Sequence, residues 1–87
     1  MKSTLKILFA DDDFNYSLVL KRFLEREGYE VTYTGNGTMA LKQFPVVKPD
    51  LVLLDINMPG LNGFEVAEKI REQDRHVLIF FLSDRSD

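Results

Sequence analysis

Eighty-seven residues, 45% hydrophobic and 29% charged, with a net charge of -3, make a single globular domain spanning 1–87. Mild acidity without any Lys/Arg run argues against nucleic-acid binding by this segment, which would rest on neutralising many phosphates. The absence of cysteine excludes a disulfide scaffold and a Cys-ligated zinc site.

In chain order, Lys2 and Lys6 precede only a short apolar run, Ile7-Leu8-Phe9-Ala10, before three acids. That is too short for a secretory signal, and no segment nears the ~20 apolar residues of a membrane span. A cytoplasmic protein is expected, with no membrane partner. The runs Leu5 to Ala10, Leu51 to Leu54 and Val77 to Leu82 are too short for helices and almost wholly apolar. Strands of a parallel sheet covered on both faces read this way. Glu30-Val31-Thr32-Tyr33-Thr34 alternates polar and apolar residues, as suits an edge strand with one wet face.

Helical patterns separate these strands. Phe14, Leu18, Phe23 and Leu24, widened by Val19 and Leu20, repeat near 3.6 residues until Gly28 supplies a stop. Thr38 to Phe44 forms a shorter pattern that Pro45 should end. Phe64, Ala67 and Ile70 set an apolar stripe on Gly63 to Glu72. Strand, helix, strand, helix, strand, helix, strand predicts an α/β fold with parallel strands and right-handed crossovers.

The acids carry the most information. Asp11 and Asp12 directly follow the first buried run, and Asp55 directly follows the third strand. Open parallel sheets bind ligands beyond the carboxyl ends of their strands, where strand order reverses. If the first and third strands are neighbours, the three carboxylates meet in one crevice. They would repel each other there unless a cation held them, and oxygen ligands alone suit Mg²⁺. The plainer alternative is that strand-end acids only cap the next helix; Asp13 and Asn15 are both candidates for that cap.

Ile7-Leu8-Phe9-Ala10-Asp11-Asp12-Asp13, then Pro49 through Gly60 (Pro-Asp-Leu-Val-Leu-Leu-Asp-Ile-Asn-Met-Pro-Gly), Asn62-Gly63 and Leu82-Ser83 resemble successive blocks of response-regulator receiver domains. The resemblance covers the whole chain. It implies a flavodoxin-like doubly wound sheet of strand order 2-1-3-4. It implies Asp55 as phosphoacceptor, Mg²⁺ (or Mn²⁺) bound by Asp12, Asp55 and the backbone carbonyl of Asn57, and Asp11 acting on it through a water. Ser83 matches the hydroxyl that closes on the phosphoryl group. The implied donor is a sensor histidine kinase or a histidine phosphotransfer protein, and the implied role is a switch, not a turnover enzyme.

Two departures from that pattern matter. Family members carry a Lys and an aromatic switch residue around a fifth strand, whereas this sequence ends at Asp87. The chain therefore resembles a partial receiver lacking the fifth strand and last helices, with impaired phosphotransfer expected and a possible output domain beyond Asp87. Val77 to Leu82 should then form an apolar edge that pairs with a second copy. Asp84 stands where the family favours a small residue, placing a carboxylate beside the phosphate entry or turning it to solvent.

Other patterns weigh less. Asp11-x-Asp13-x-Asn15 imitates the start of a calcium loop, but Tyr16 and Arg22 occupy its required Gly and Glu positions. Gly35-x-Gly37-x-x-Ala40 matches a dinucleotide fingerprint, but its preceding strand is polar, and a loop permitting positive φ is expected. An apolar strand ending in Asp-x-Asp also fits haloacid-dehalogenase-like phosphatases, with Asp11 as nucleophile and Asp13 as general acid. A degenerate receiver serving only as an interaction or dimerisation module is a further alternative. Pro59-Gly60 and Asn62-Gly63 read as turn residues, Met58 as loop packing, and His76 as a solvated loop residue.

Overall fold

The computed structural model describes residues 4–82. Strands β1 (Lys6–Ala10), β2 (Glu30–Thr34), β3 (Leu51–Asp55) and β4 (Leu78–Leu82) alternate with helices α1 (Phe14–Arg26), α2 (Gly37–Val47) and α3 (Gly63–Gln73). All pairings are parallel, and the sheet order is β2-β1-β3-β4, as expected from the sequence.

The central strands explain the apolar runs. Pairing sets Leu8 beside Val52 and Ala10 beside Leu54 on one face. There they join Ala40 and Phe44 of α2 and Val66 and Ile70 of α3 in one buried cluster. Ile7 and Phe9 pair with Leu51 and Leu53 on the other face, where Tyr16, Leu20 and Leu24 of α1 cover them. Strands with side chains buried on both faces cannot alternate in polarity. Each fully buried side chain contributes roughly 1.5–3 kcal/mol, so β1 and β3 are the main source of burial energy. β2 takes one edge, as its alternating sequence suggests.

Three expectations are corrected. In α1, Phe14, Val19 and Phe23 point to solvent, while Ser17, Leu20 and Leu24 turn toward the sheet. Apolar residues lie around much of this helix, so its period left the inward face undetermined. In α3, Val66 and Ile70 are the buried anchors and Phe64 is exposed, its ring packed against Phe81 in a tilted pair with centroids 4.9 Å apart. Pro45 does not end α2, which runs on to Val47. Proline forfeits the bond to the Leu41 carbonyl but its φ suits a helix, and the buried Phe44 side chain holds the last turn down. Lys48, in the left-handed conformation at φ 52°, closes the helix with its N–H on the Phe44 carbonyl.

Asn62 starts α3 with a reciprocal cap. Its Oδ1 accepts the Glu65 N–H at 2.9 Å, and Glu65 Oε1 accepts the Asn62 N–H at 2.9 Å. Asn62→Ala removes one acceptor and unseats the other, at a cost of ~1 kcal/mol. The melting temperature should fall by about 4–8 °C; an unchanged melting curve would show that the cap is dispensable.

Candidate functional site

The chain order of β1, β3 and their loops places three acids at one rim of the sheet. Asp11 leaves β1, Asp12 follows it, and Asp55 is the last residue of β3. One carboxylate oxygen from each lies within 4.8 Å of the others. Asp12 is exposed, while Asp11 is fully buried and Asp55 is 5% exposed. The crevice expected from β1 and β3 being neighbours is therefore present.

Local hydrogen bonds hold the acids there. Asp11 Oδ1 accepts the Asp13 N–H at 2.9 Å, and Asp55 Oδ1 accepts the Asn57 N–H at 3.2 Å. Asp13 is the N-cap of α1, its Oδ1 accepting the Tyr16 N–H at 3.1 Å. That settles the choice between Asp13 and Asn15, because Asn15 already lies in the first turn. It also shows that capping falls to Asp13 while Asp11 and Asp12 are left to face Asp55.

Burial is the main reason that the Asp55 carboxyl is pushed up to about 6, above its ordinary 3.8. The Asn57 N–H opposes this, whereas the charges on Asp11 and Asp12 add to it. The sign for stability follows. The folded chain holds the Asp55 proton more tightly than the unfolded one does. This contribution is fully present below about pH 4 and is lost as pH rises through about 6. At neutral pH the metal-free fold carries an ionised, desolvated acid.

A buried carboxylate oxygen without a donor costs free energy. Asp11 Oδ2 is buried with no hydrogen-bond partner among the described residues. That unmet acceptor, the raised Asp55 and the all-oxygen set fit a hard divalent cation.

The loop after β3 depends on two kinds of glycine. Gly60, at φ +77°, makes the turn with open space where a side chain would stand. Gly63 is needed for closeness instead: a Cβ there would lie 2.4 Å from the Asp55 carbonyl oxygen. The reading of Gly63 as a turn residue is thus corrected. So is the reading of Gly35 and Gly37 as positive-φ positions. Neither has positive φ, and a Cβ on Gly37 would meet Val66 at 2.5 Å and Leu61 at 3.0 Å. Met58 packs in the core as expected, and exposed His76 donates its N–H to Asp74. Ser83 and Asp84 lie outside the described residues.

A family model described as the response regulator receiver domain matches residues 7–87. The chain belongs to this receiver family. That assignment sets aside the phosphatase, calcium-loop and dinucleotide readings. Among relatives of this receiver, the Bacillus subtilis alkaline phosphatase synthesis transcriptional regulatory protein PhoP is 38% identical over 82 residues, covering 94% of this chain and 34% of PhoP. The receiver thus spans about a third of that relative's length. The Thermotoga maritima response regulator TrrA, solved in complex with Mg²⁺-BeF, superposes with a TM-score of 0.89 at 43% identity, covering 95% of this chain and 72% of TrrA. TrrA solved with the histidine kinase ThkA gives a TM-score of 0.86 at 43% identity, covering 97% and 76% of the two chains. No helix among the described residues of the receiver is long and apolar enough to cross a membrane.

Sequence reasoning found all three clustered acids but missed Tyr33. Its hydroxyl donates to the Asp11 carbonyl at 2.6 Å. A tyrosine in an alternating edge strand gives no sign of that contact.

Proposed function

We propose that this receiver takes a phosphoryl group onto Asp55 from a phosphohistidine donor, with Mg²⁺ at the acidic rim. The convergence of the Asp11, Asp12 and Asp55 carboxylates within 4.8 Å, with an unmet oxygen on Asp11, carries this reading. TrrA bound to Mg²⁺-BeF and to ThkA supports it by likeness. The donor class would be a sensor histidine kinase or a histidine phosphotransfer protein, and the compartment the cytoplasm.

Asp12 and Asp55 would hold the cation directly, Asp11 through a water, and Asn57 through its backbone carbonyl. A bound cation supplies charge neutralisation, which lowers the repulsion between an anionic acceptor and the phosphoryl oxygens. The Asp55 carboxylate is the nucleophile. One of its oxygens forms the new P–O bond as the donor's N–P bond breaks. The electron pair leaves on the imidazole nitrogen, which takes up a proton. The Asn57 N–H on Oδ1 orients the carboxylate for that attack. Ser83 would contact the phosphoryl group only after transfer, and a contact made in one state alone biases a conformational equilibrium. The receiver is then a switch whose product stays attached, not a turnover enzyme.

Incubation with Mg²⁺ and beryllofluoride, followed by NMR or crystallographic location of the adduct, tests the assignment. An adduct on Asp55 is expected. An adduct on Asp11 would indicate phosphatase-type chemistry, although Asp11 is enclosed and Asp13 is committed to its cap. No adduct would leave an interaction module.

A second copy of the chain is the proposed partner at β4. Leu78, Phe80 and Phe81 are 58%, 56% and 41% exposed, and among the described residues no strand pairs with the outer side of β4. Apolar strand edges of this kind recruit further strands. Sedimentation should show a dimer that a Phe80→Lys substitution, at an exposed position of β4, dissociates; a monomer at every concentration would overturn this part.

A further inference from the structure

We infer that Tyr33 is a positioning residue for the cation site, acting through the backbone of Asp11; this rests on the Mg²⁺ reading above. Tyr33 lies near the carboxyl end of β2, a strand that contributes no acid to the cluster. Yet β2 takes both backbone polar groups of Asp11. The Asp11 N–H donates to the Thr34 carbonyl at 3.2 Å, and the Tyr33 hydroxyl donates to the Asp11 carbonyl at 2.6 Å. The Thr34 hydroxyl adds a longer bond to the Phe9 carbonyl at 3.3 Å. The peptide units on either side of Asp11 are thereby tied to one neighbouring strand.

The ring completes the hold. Tyr33 packs on Phe9 of β1 with ring centroids 5.7 Å apart and on Phe14 of α1 at 6.2 Å. It thus bridges the two elements that the acidic loop joins. The Ser17 hydroxyl is buried nearby but has no hydrogen-bond partner among the described residues. The Asp11 carbonyl is therefore the partner that fixes the Tyr33 hydroxyl. Carboxylates that repel each other keep a productive spacing only if the backbone carrying them cannot give way. A strap on the Asp11 carbonyl prevents that loop from swinging outward, and so preserves the site that a cation would enter.

The test compares two substitutions in β2. Tyr33→Phe deletes only the hydroxyl. Val31→Ala trims a buried side chain at the other end of β2, which loosens the strand without touching Asp11. Mg²⁺ affinity is measured by calorimetry at about pH 8, where Asp55 is ionised, alongside melting temperature and the amide NMR shifts of Asp12 and Asp13. Tyr33→Phe should weaken Mg²⁺ binding by about three- to tenfold, as expected for one lost hydrogen bond, and shift those metal-free amide signals. Val31→Ala should lower the melting temperature at least as far while leaving Mg²⁺ affinity within about twofold. Unchanged affinity in Tyr33→Phe, or an equal loss in Val31→Ala, would overturn the positioning role alone. A parent chain that binds no Mg²⁺ would overturn the cation reading and this inference with it.

Discussion

Replacing Asp55 by Asn should give a chain that takes up no phosphoryl group and that, free of metal, melts at a higher temperature than its parent. The first effect follows from losing the proposed nucleophile: an amide oxygen has no negative charge with which to attack phosphorus. The second follows from the environment of the acid. Asp55 titrates at about 6 because burial and the neighbouring acids disfavour its charge. Raising a carboxyl by that much corresponds to a cost on the order of 3 kcal/mol once it is ionised. Asn keeps an oxygen to accept the Asn57 N–H and carries no charge, so much of that cost disappears. A gain of roughly 1–3 kcal/mol would raise the melting temperature by about 5–20 °C. The difference should be largest at pH 7 and shrink as pH falls from about 6 to about 4, where the parent's Asp55 is protonated. Melting curves with a chelator across that range, and intact-mass measurement after incubation with a phosphoryl donor, provide the readouts. A metal-free parent as stable as Asp55→Asn at pH 7 would refute the assigned strain.

Gly63→Ala should be the most damaging of the glycine substitutions. The added methyl would lie 2.4 Å from the Asp55 carbonyl oxygen, 3.0 Å from its carbonyl carbon and 3.1 Å from the Ile56 Cα. All three are backbone atoms, so no side chain can turn aside. Either α3 moves away from the end of β3 or the Asp55 backbone shifts, and the Gly63 N–H bond to the Ile56 carbonyl at 3.1 Å is broken with it. Overpacking of this kind costs roughly 1–3 kcal/mol and more where nothing can yield. A fall in melting temperature of about 10 °C or more is expected, with reduced beryllofluoride uptake because the backbone of the proposed acceptor Asp55 is displaced. Gly35→Ala is the comparison. Its nearest neighbour would be the Tyr33 hydroxyl at 3.7 Å, an ordinary contact, so stability should barely change. Equal effects at the two positions would contradict the packing argument.

Asp55, Asp11 and Asp12 were legible in the sequence because each ends or follows an unbroken apolar run, and such runs belong to strands whose ends meet at a rim. Strand order came only with the family resemblance: β2 read as an edge from its alternation, but β4 read as covered on both sides like β1 and β3 and yet stands at the other edge. Helix faces were less so. Phe14, Val19 and Phe23 point outward from α1 while Ser17 is buried, since size and polarity alone do not say which side of a broadly apolar helix meets the sheet. Pro45 misled because a last-turn proline costs one bond, which the anchoring of Phe44 outweighs. Gly37 and Gly63 were recognised as glycines with a purpose. That their purpose was close approach emerged only from which atoms stand opposite, and sequence spacing carries no such information. Tyr33 was invisible for a similar reason, because its partner is a carbonyl oxygen that every residue possesses.

The mounting of the acids has one more consequence. Asp11 and Asp55 extend from the two inner strands, each of which contributes side chains to both core clusters. Such strands release their backbone only when the whole domain opens, whereas edges and helix ends fray on their own. A ligand gripping these acids therefore draws on the cooperativity of the entire domain, and its binding free energy is felt as global protection against unfolding rather than as the tightening of one loop.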